Sequence, residues 1–200
     1  MLRAFIALDI HPGILSAIDV TTIQLRKEIG SFVRWVPAEN MHLTLKFLGG
    51  VSPTQVESLI DMLRIESDRC TPFEMHIGRF GAFPSLKRPR VLFIGIQAPA
   101  ALDALVHGIQ VGCERLGFTS EARGFHPHLT LGRVRQNLNA IEGQTFRRLL
   151  ETVKIDLLGT ARVDSVHLYK SELKRDGAVY TRLFSAPLHT IIASPLRGSQ

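Results

Sequence analysis

Apolar residues along the chain follow two spacings in alternation, which predicts strands and helices in turn. Short apolar runs at 4–8 and 91–96 are typical of strands, and each is followed by a segment with apolar residues at helical spacing. These helix positions are Ile14, Ile18, Leu25 and Ile29 after the first run, and Leu102, Leu105, Val106, Ile109, Cys113 and Leu116 after the second. Ser52-Pro53-Thr54-Gln55 has the form of a capping box with proline at the first helical position, so it predicts the start of another helix.

Further strands are expected in both halves of the chain. They are predicted at about 72–79, 90–97, 162–170 and 178–186. A hairpin over Lys174-Arg175-Asp176-Gly177 would join the last two, because Asp-Gly favours a tight turn. The sheets are therefore expected to be mainly antiparallel.

One tetrapeptide occurs twice. His42-Leu43-Thr44-Leu45 recurs as His128-Leu129-Thr130-Leu131, 86 residues later, and Phe5 and Phe93 begin similar runs at an offset of 88. We therefore predict an α+β fold built from a duplicated unit, with copies at about 3–88 and 91–188. Two mainly antiparallel sheets would flank a central cleft with the helices outside. This arrangement would form one bilobal domain over 1–188, followed by a flexible tail over 189–200.

Each copy of the tetrapeptide has one polar and one apolar face when it is extended. Side chains two apart on a strand point to the same side, so His42 and Thr44 share one face and the leucines share the other. The same holds for His128 and Thr130. If a pseudo-twofold axis relates the two lobes, two imidazoles meet across the cleft with a hydroxyl beside each.

Two opposed histidines suit displacement at phosphorus. Histidine titrates near neutrality, so one imidazole can take a proton from water while the other protonates the leaving oxygen. The threonine hydroxyls can hold the non-bridging phosphate oxygens, where charge develops. This chemistry needs no metal or other cofactor, and none is predicted.

The composition of the chain mainly excludes other classes of protein. The 200 residues carry a net charge of +6, which favours an anionic partner. No apolar run approaches the roughly 18 residues that span a bilayer, and the first run is too short for a secretory signal, so a cytoplasmic protein without membrane contact is expected. Cys70 and Cys113 form no Cys-x-x-Cys pair, and the chain has no glycine-rich nucleotide-binding loop.

Several further stretches accompany the doubled His-x-Thr motif. They are Arg3-Ala4-Phe5-Ile6-Ala7-Leu8, Arg34-Trp35-Val36-Pro37, Phe125-His126-Pro127, Gly132-Arg133 and Lys170-Ser171-Glu172-Leu173. With them the chain over 1–188 resembles the two-histidine (2H) phosphoesterase superfamily. More closely, it resembles the RNA 2′,3′-cyclic phosphodiesterases, also called the 2′–5′ RNA ligase family.

This resemblance implies a bilobal α+β fold and metal-free opening of a 2′,3′-cyclic phosphate to a 2′-phosphate. The partner would be RNA or a nucleotide with such an end, and the enzyme would be a monomer. The resemblance assigns His42 as the proton donor and His128 as the proton acceptor, whereas the residues alone allow either order. It also assigns Thr44 and Thr130 as phosphate ligands. The reverse reaction would join such an end to a 5′-hydroxyl through a 2′–5′ linkage.

Three further residues are candidates for substrate binding. Arg133 suits a phosphate, but strict alternation turns it away from His128 unless a bulge follows Gly132. Phe5 and Trp35 are either a floor on which a base stacks or part of the core.

A metal site is not predicted. His126 and His128 share a face with the spacing of a ligand pair, but no carboxylate or cysteine lies near them in sequence. The matching position in the first copy is Asn40.

Two other functions fit the same sequence. The first is a basic module that binds RNA ends without cleaving them, in a salt-dependent manner. The second is a 2H phosphodiesterase that acts on another small cyclic phosphate or on a 2′–5′ oligonucleotide.

Overall fold

The computed structural model describes residues 1–120, 124–175 and 177–189. Within these ranges the chain forms nine strands: β1 (Leu2–Asp9), β2 (Val33–Trp35), β3 (His42–Val51), β4 (Phe73–Phe83), β5 (Val91–Gln97), β6 (His128–Val134), β7 (Leu157–Val163), β8 (Ser165–Lys174) and β9 (Gly177–Pro187). In the same ranges it forms four α-helices: α1 (Pro12–Ile29), α2 (Pro53–Asp68), α3 (Ala100–Arg115) and α4 (Ala140–Thr152). Apart from His189, the predicted tail lies outside the described residues, as does Asp176 of the predicted turn.

The strands form two antiparallel sheets. Sheet A has the order β3-β1-β8-β9, and sheet B has the order β2-β6-β5-β4-β7. Helices α2 and α3 pack on sheet A, while α1 packs on sheet B and against α4. The predicted α+β fold with two antiparallel sheets is therefore confirmed.

One predicted strand is wrong in its extent. The segment predicted as a single strand at 162–170 is divided at Asp164 between β7 and β8, which lie in different sheets. β7 begins earlier, with Leu157 and Leu158, and these adjacent leucines obscure the alternation that marks a strand. The hairpin between β8 and β9 agrees with the prediction, since Lys174 pairs with Gly177.

Each sheet contains strands from both copies of the sequence. β4 belongs to the first copy but lies in sheet B beside β5. β8 belongs to the second copy but lies in sheet A beside β1. The boundary between the sequence copies is therefore not the boundary between the sheets, and this exchange of strands ties the two halves together.

The pairing registers align the copies at one offset. Phe5 lies opposite Phe47 in sheet A, and Val91 lies opposite Arg133 in sheet B. Because Phe47 and Arg133 each follow a motif histidine by five residues, Phe5 corresponds to Val91, at the same offset of 86 as the motif. The predicted match of Phe5 with Phe93 is therefore wrong by two residues.

Both histidine strands carry a bulge at the same place. The extra residue in β3 is Leu45, where the register to β1 slips, and the extra residue in β6 is Leu131, where the register to β5 slips. An extra residue shifts the side-chain alternation beyond it by one position. Phe47 and Arg133 therefore return to the face that carries the motif histidines.

The motif leucines anchor both strands in the core. Leu43 and Leu129 are 1% and 0% exposed, and the bulged leucines are buried as well. The histidines and threonines lie on the opposite face and are only half-buried. Among the described helices, none has the length and apolarity to cross a membrane.

The helix after each histidine strand begins with a capping box. In α2 the Ser52 side chain accepts from the Gln55 backbone N–H at 3.2 Å, and the Gln55 side chain accepts from the Ser52 backbone N–H at 3.0 Å. In α4 Asn139 and Glu142 make the equivalent pair of hydrogen bonds. The box predicted at Ser52 is confirmed, and the second box fixes α4 in the corresponding position.

We expect Ser52→Ala to lower the free energy of unfolding by about 1 kcal/mol, because the substitution leaves a backbone N–H of the first helical turn without its acceptor. Denaturant unfolding followed by circular dichroism measures the change. Ser16→Ala, at an exposed position inside α1, is the matched control and should leave stability unchanged or slightly higher. Equal stability of the two variants would contradict a structural role for the box.

Candidate active site

His42 lies among aromatic rings at the start of β3. Its ring stacks on Phe5, with centroids 4.7 Å apart and planes 23° apart. The Tyr180 ring meets it edge-on at 5.1 Å. The imidazole also makes a hydrogen bond to the backbone of Asn40. These contacts fix the plane of the ring against sheet A.

His128 is held in a similar way in sheet B. Its Nδ1 lies 2.6 Å from the backbone carbonyl oxygen of His126. The rings of Phe83 and Phe93 meet it edge-on at 4.9 Å and 5.4 Å. A carbonyl only accepts, so Nδ1 carries the proton, and in the neutral ring Nε2 is the nitrogen with the free lone pair.

The two imidazoles share one main perturbation and differ in the charges around them. Burial lowers the pKa of both rings, and in each case a hydrogen bond to the backbone two residues earlier opposes this effect. The charge of Asp9 also raises the pKa of His42. The charges of His126 and Arg133 lower the pKa of His128 further. The neighbouring charges therefore act in opposite directions, favouring the protonated form of His42 and the neutral form of His128.

Tyr180 and Arg133 link the two halves of the site. Strands β3 and β6 contact each other across the sheets. Tyr180 contacts the His42 ring. Burial raises the pKa of Tyr180, and the positive charge of Arg133 lowers it, so Arg133 lies near Tyr180. Arg133 also acts on the His128 ring, as its effect on that pKa requires. The bulge at Leu131 thus brings Arg133 to the cleft, which decides between the two orientations that the sequence allowed.

An ionic network supports the His42 side of the cleft. Asp9 pairs in register with His42, and its carboxylate accepts from the Tyr169 hydroxyl at 2.7 Å and from the guanidinium of Arg182. Arg182 also donates to the Tyr169 hydroxyl at 3.1 Å. Burial and the hydrogen bond to Asp9 raise the pKa of Tyr169 to about 12, so this hydroxyl stays a donor. The network holds the carboxylate close to the His42 imidazole.

The remaining candidates divide between the cleft and the helix side of the sheets. Thr44 and Thr130 are half-buried on the faces of their histidines, as the alternation predicts. Phe5 is buried and also forms the surface on which His42 stacks. Trp35 is different, because the guanidinium of Arg26 on α1 lies over its ring at 5.4 Å. The structure therefore places Trp35 in the packing between β2 and α1, and the interpretation as a stacking floor for a base is not favoured.

Several residues of this site had no clear signal in the sequence. Asp9, Tyr169, Tyr180, Arg182 and Phe83 come from strands whose pairing joins distant parts of the chain. Arg34 pairs in register with Arg133, so it shares the cleft face. The predicted hairpin between β8 and β9 placed Tyr169 and Tyr180 on neighbouring strands, and Arg34 belongs to a stretch that accompanies the motif in the sequence.

Metal ligation has no support in the described parts of the chain. Within them no three His, Cys, Asp or Glu side chains gather as a ligand set. Cys70 and Cys113 are buried free thiols, and burial raises the pKa of Cys113 to about 11.

Two antiparallel sheets that each present a His-x-Thr strand to a shared cleft define a two-histidine phosphoesterase. The family model for LigT-like phosphoesterases matches this chain twice, over residues 14–93 and 94–180. The chain belongs to the LigT-like phosphoesterase family, as the doubled motif predicted.

Relatives and solved structures agree with this assignment over nearly the whole chain. The RNA 2′,3′-cyclic phosphodiesterase of Methanothermobacter thermautotrophicus is 33% identical over 180 residues, which are 90% of this chain and 95% of that protein. The protein of the same name from Thermotoga maritima is 30% identical and covers 92% of this chain and 94% of its own. The crystal structure of E. coli LigT complexed with 3′-AMP superposes with a TM-score of 0.73 at 27% identity, covering 94% and 99% of the two chains.

We expect Arg133→Gln to raise the pKa of His128, because the substitution removes a positive charge that disfavours the imidazolium. Titration of the histidine ring signals by NMR measures this change directly. Arg147→Gln, at an exposed position on α4, is the charge-matched control and should leave the pKa of His128 unchanged. An unchanged or lowered pKa in Arg133→Gln would contradict the placement of Arg133 at the cleft.

Proposed function

We propose that this protein hydrolyses 2′,3′-cyclic phosphate ends of RNA or nucleotides to 2′-phosphates, with His42 as general acid and His128 as general base. The observation that carries the proposal is the pair of half-buried imidazoles, each tied by a hydrogen bond to the backbone and each on a strand facing the cleft. Relatives named RNA 2′,3′-cyclic phosphodiesterase support the substrate class. A monomer in the cytoplasm is part of the same proposal.

In this mechanism a water molecule attacks phosphorus from the side of His128. Nε2 of His128 takes a proton from the water as the new P–O bond forms. The bond between phosphorus and the 3′ oxygen breaks, and His42 donates its proton to that oxygen. The product carries a 2′-phosphate and a free 3′-hydroxyl. With the 5′-hydroxyl of a second RNA end in place of the attacking water, the same sequence of steps forms a 2′–5′ linkage and leaves a free 3′-hydroxyl.

The other cleft residues act on the phosphate. The hydroxyls of Thr44 and Thr130 donate to the non-bridging oxygens, whose charge grows in the transition state. Arg133 adds a positive charge beside His128, and its effect on the pKa of that ring keeps the base unprotonated. Phe5 holds the acid in place through the ring stack.

The charges around the two rings support this assignment of acid and base. Asp9 favours the protonated form of His42, which an acid needs at the start of the reaction. Arg133 and His126 favour the neutral form of His128, which a base needs. Burial lowers the pKa of both rings, so protonation of the acid limits the active fraction as the pH rises.

We expect His42→Ala and His128→Ala each to lower kcat/KM by about a thousand-fold, since each removes one of the two proton transfers. The assay is hydrolysis of a short RNA with a 2′,3′-cyclic phosphate in the presence of EDTA, with 2′- and 3′-phosphate products resolved. His107→Ala, on the exposed side of α3, is the control and should keep full activity. Binding without turnover by the wild type would favour the RNA-end-binding module, and turnover of small cyclic phosphates alone would favour the other phosphodiesterase.

We expect Asp9→Asn to lower the pKa of His42, because it removes the negative charge that stabilises the imidazolium and leaves Arg182 uncompensated. If His42 is the acid, the pH optimum of kcat moves lower and the maximal kcat falls, because fewer molecules have a protonated acid beside a neutral base. A maximal kcat that rises would instead identify His42 as the base. Asp103→Asn on α3 is the charge-matched control.

A further inference from the structure

The cleft face of sheet B continues beyond His128 towards the far edge of the sheet. His128 pairs with Gly95, Gly95 pairs with Gly78, and Gly78 pairs with Leu157, so these residues form one row across β6, β5, β4 and β7. Residues that pair in register across antiparallel strands share a face. The row therefore leads away from the His128 ring on the side of the cleft.

A groove follows this row. A pocket of about 660 Å³ is lined by His76, Gly78, Arg79, Gly95, Gln97 and Asp156, together with Ile96 and Leu157. A Cβ on Gly78 would lie 2.4 Å from the backbone oxygen of Asp156, so close packing of β7 keeps this position a glycine. The backbone of Asp156 and Leu157 therefore covers Gly78, and the oxygens of Gly78 and Arg79 lie close to Gly95, so a ligand in this groove contacts the side chains along its edges.

Polar side chains line the groove on the side away from the bulge in β4. His76 and Gln97 pair in register two residues before Gly78 and two residues after Gly95, so both share the groove face. Nδ1 of His76 lies 3.0 Å from the Thr160 hydroxyl, which orients the ring and leaves Nε2 available. Gln97 is exposed and offers both a donor and an acceptor. This edge suits the hydrogen-bonding groups of a base or ribose.

Arg79 supplies a positive charge at the groove. It is the extra residue of a bulge in β4. Its φ of 65° is a left-handed conformation that is unfavourable for residues other than glycine, asparagine and aspartate. Its backbone N–H donates to the Asp156 oxygen at 3.3 Å, while the guanidinium shows no hydrogen bond or ion pair to any other described residue. A strained arginine with an unengaged head at a groove points to a ligand with an anionic group.

We propose that this groove binds the nucleotide on the 5′ side of the cyclic phosphate, so that the enzyme prefers polynucleotide ends over mononucleotides. The proposal rests on the proposed function, which places the cyclic phosphate at His128. Arg79 pairs with the phosphodiester that joins the last two nucleotides, and Gln97 and His76 bind the preceding sugar and base. Three strand spacings separate β6 from β7, about 14 Å, which leaves room beyond the reacting group. The Asp156 carboxylate repels phosphate at the far end and so favours the base there.

The test compares a mononucleoside 2′,3′-cyclic phosphate with a dinucleotide that ends in the same group. Arg79→Gly is the informative variant, because it removes the guanidinium and relieves the left-handed backbone, so the fold is kept. We expect KM for the dinucleotide to rise about ten-fold, with kcat and all constants for the mononucleotide unchanged. Arg79→Asp, which tolerates the same backbone and reverses the charge, should raise KM further. Arg147→Ala is the matched control.

Equilibrium binding of the two 2′-phosphate products separates this proposal from the proposed function. Wild-type protein should bind the dinucleotide product more tightly than the mononucleotide product, and Arg79→Gly should reduce that difference about ten-fold whether or not turnover is seen. If the wild type cleaves both substrates but Arg79→Gly affects neither or both alike, the groove proposal is overturned and the function stands. If the wild type cleaves neither substrate, the proposed function fails, and equal binding of both products would overturn the groove as well.

Discussion

Burial of the leucines in the two His-x-Thr strands is the constraint on which the rest of the structure depends. With Leu43 and Leu129 almost fully buried, the histidines and threonines must face the cleft. A slip of one residue in either strand would exchange the two faces and expose the leucines, so the register that stabilises the core also places the site. The helices behind the sheets, two of them fixed by capping boxes, complete the surface against which these leucines pack.

The bulges turn two nearly identical strands into two different halves of a site. In both strands the extra residue of the bulge is the leucine directly after the threonine. The bulge turns the residue two positions after this leucine into the cleft. In β3 that residue is Phe47, which lies near the Phe5 ring, and in β6 it is Arg133. The two equivalent positions after the bulges therefore differ by one positive charge. Together with Asp9 on the other side, this difference separates the protonation preferences of two imidazoles that the backbone holds in equivalent ways.

The sequence allowed prediction of the local elements and of the paired histidines, but not of the rest of the site. Period-two alternation is a local property, so the faces of His42 and His128 followed directly from it. The position of Arg133 depended on a bulge, which has no reliable local signal, and so both orientations stayed open until the register was known. Tyr169, Tyr180 and Arg182 reach the cleft only because β8 and β9 cross to the sheet of the other copy. Such long-range pairing is set by the total packing of the chain and is not encoded in any one segment.

The chemistry of the cleft also bears on the alternative of a module that binds RNA ends without reaction. A surface that only holds phosphate is served best by side chains that stay charged, which arginine and lysine do and a buried imidazole does not. Here burial lowers the pKa of both central histidines, so it weakens their attraction for an anion at neutral pH. A neutral imidazole can accept a proton, and the hydrogen bond of His128 Nδ1 leaves Nε2 as the nitrogen that does so. Neutral histidines attract a phosphate less strongly than arginine or lysine would, but they can exchange protons. The paired histidines therefore favour the proposal of catalysis over that of binding alone.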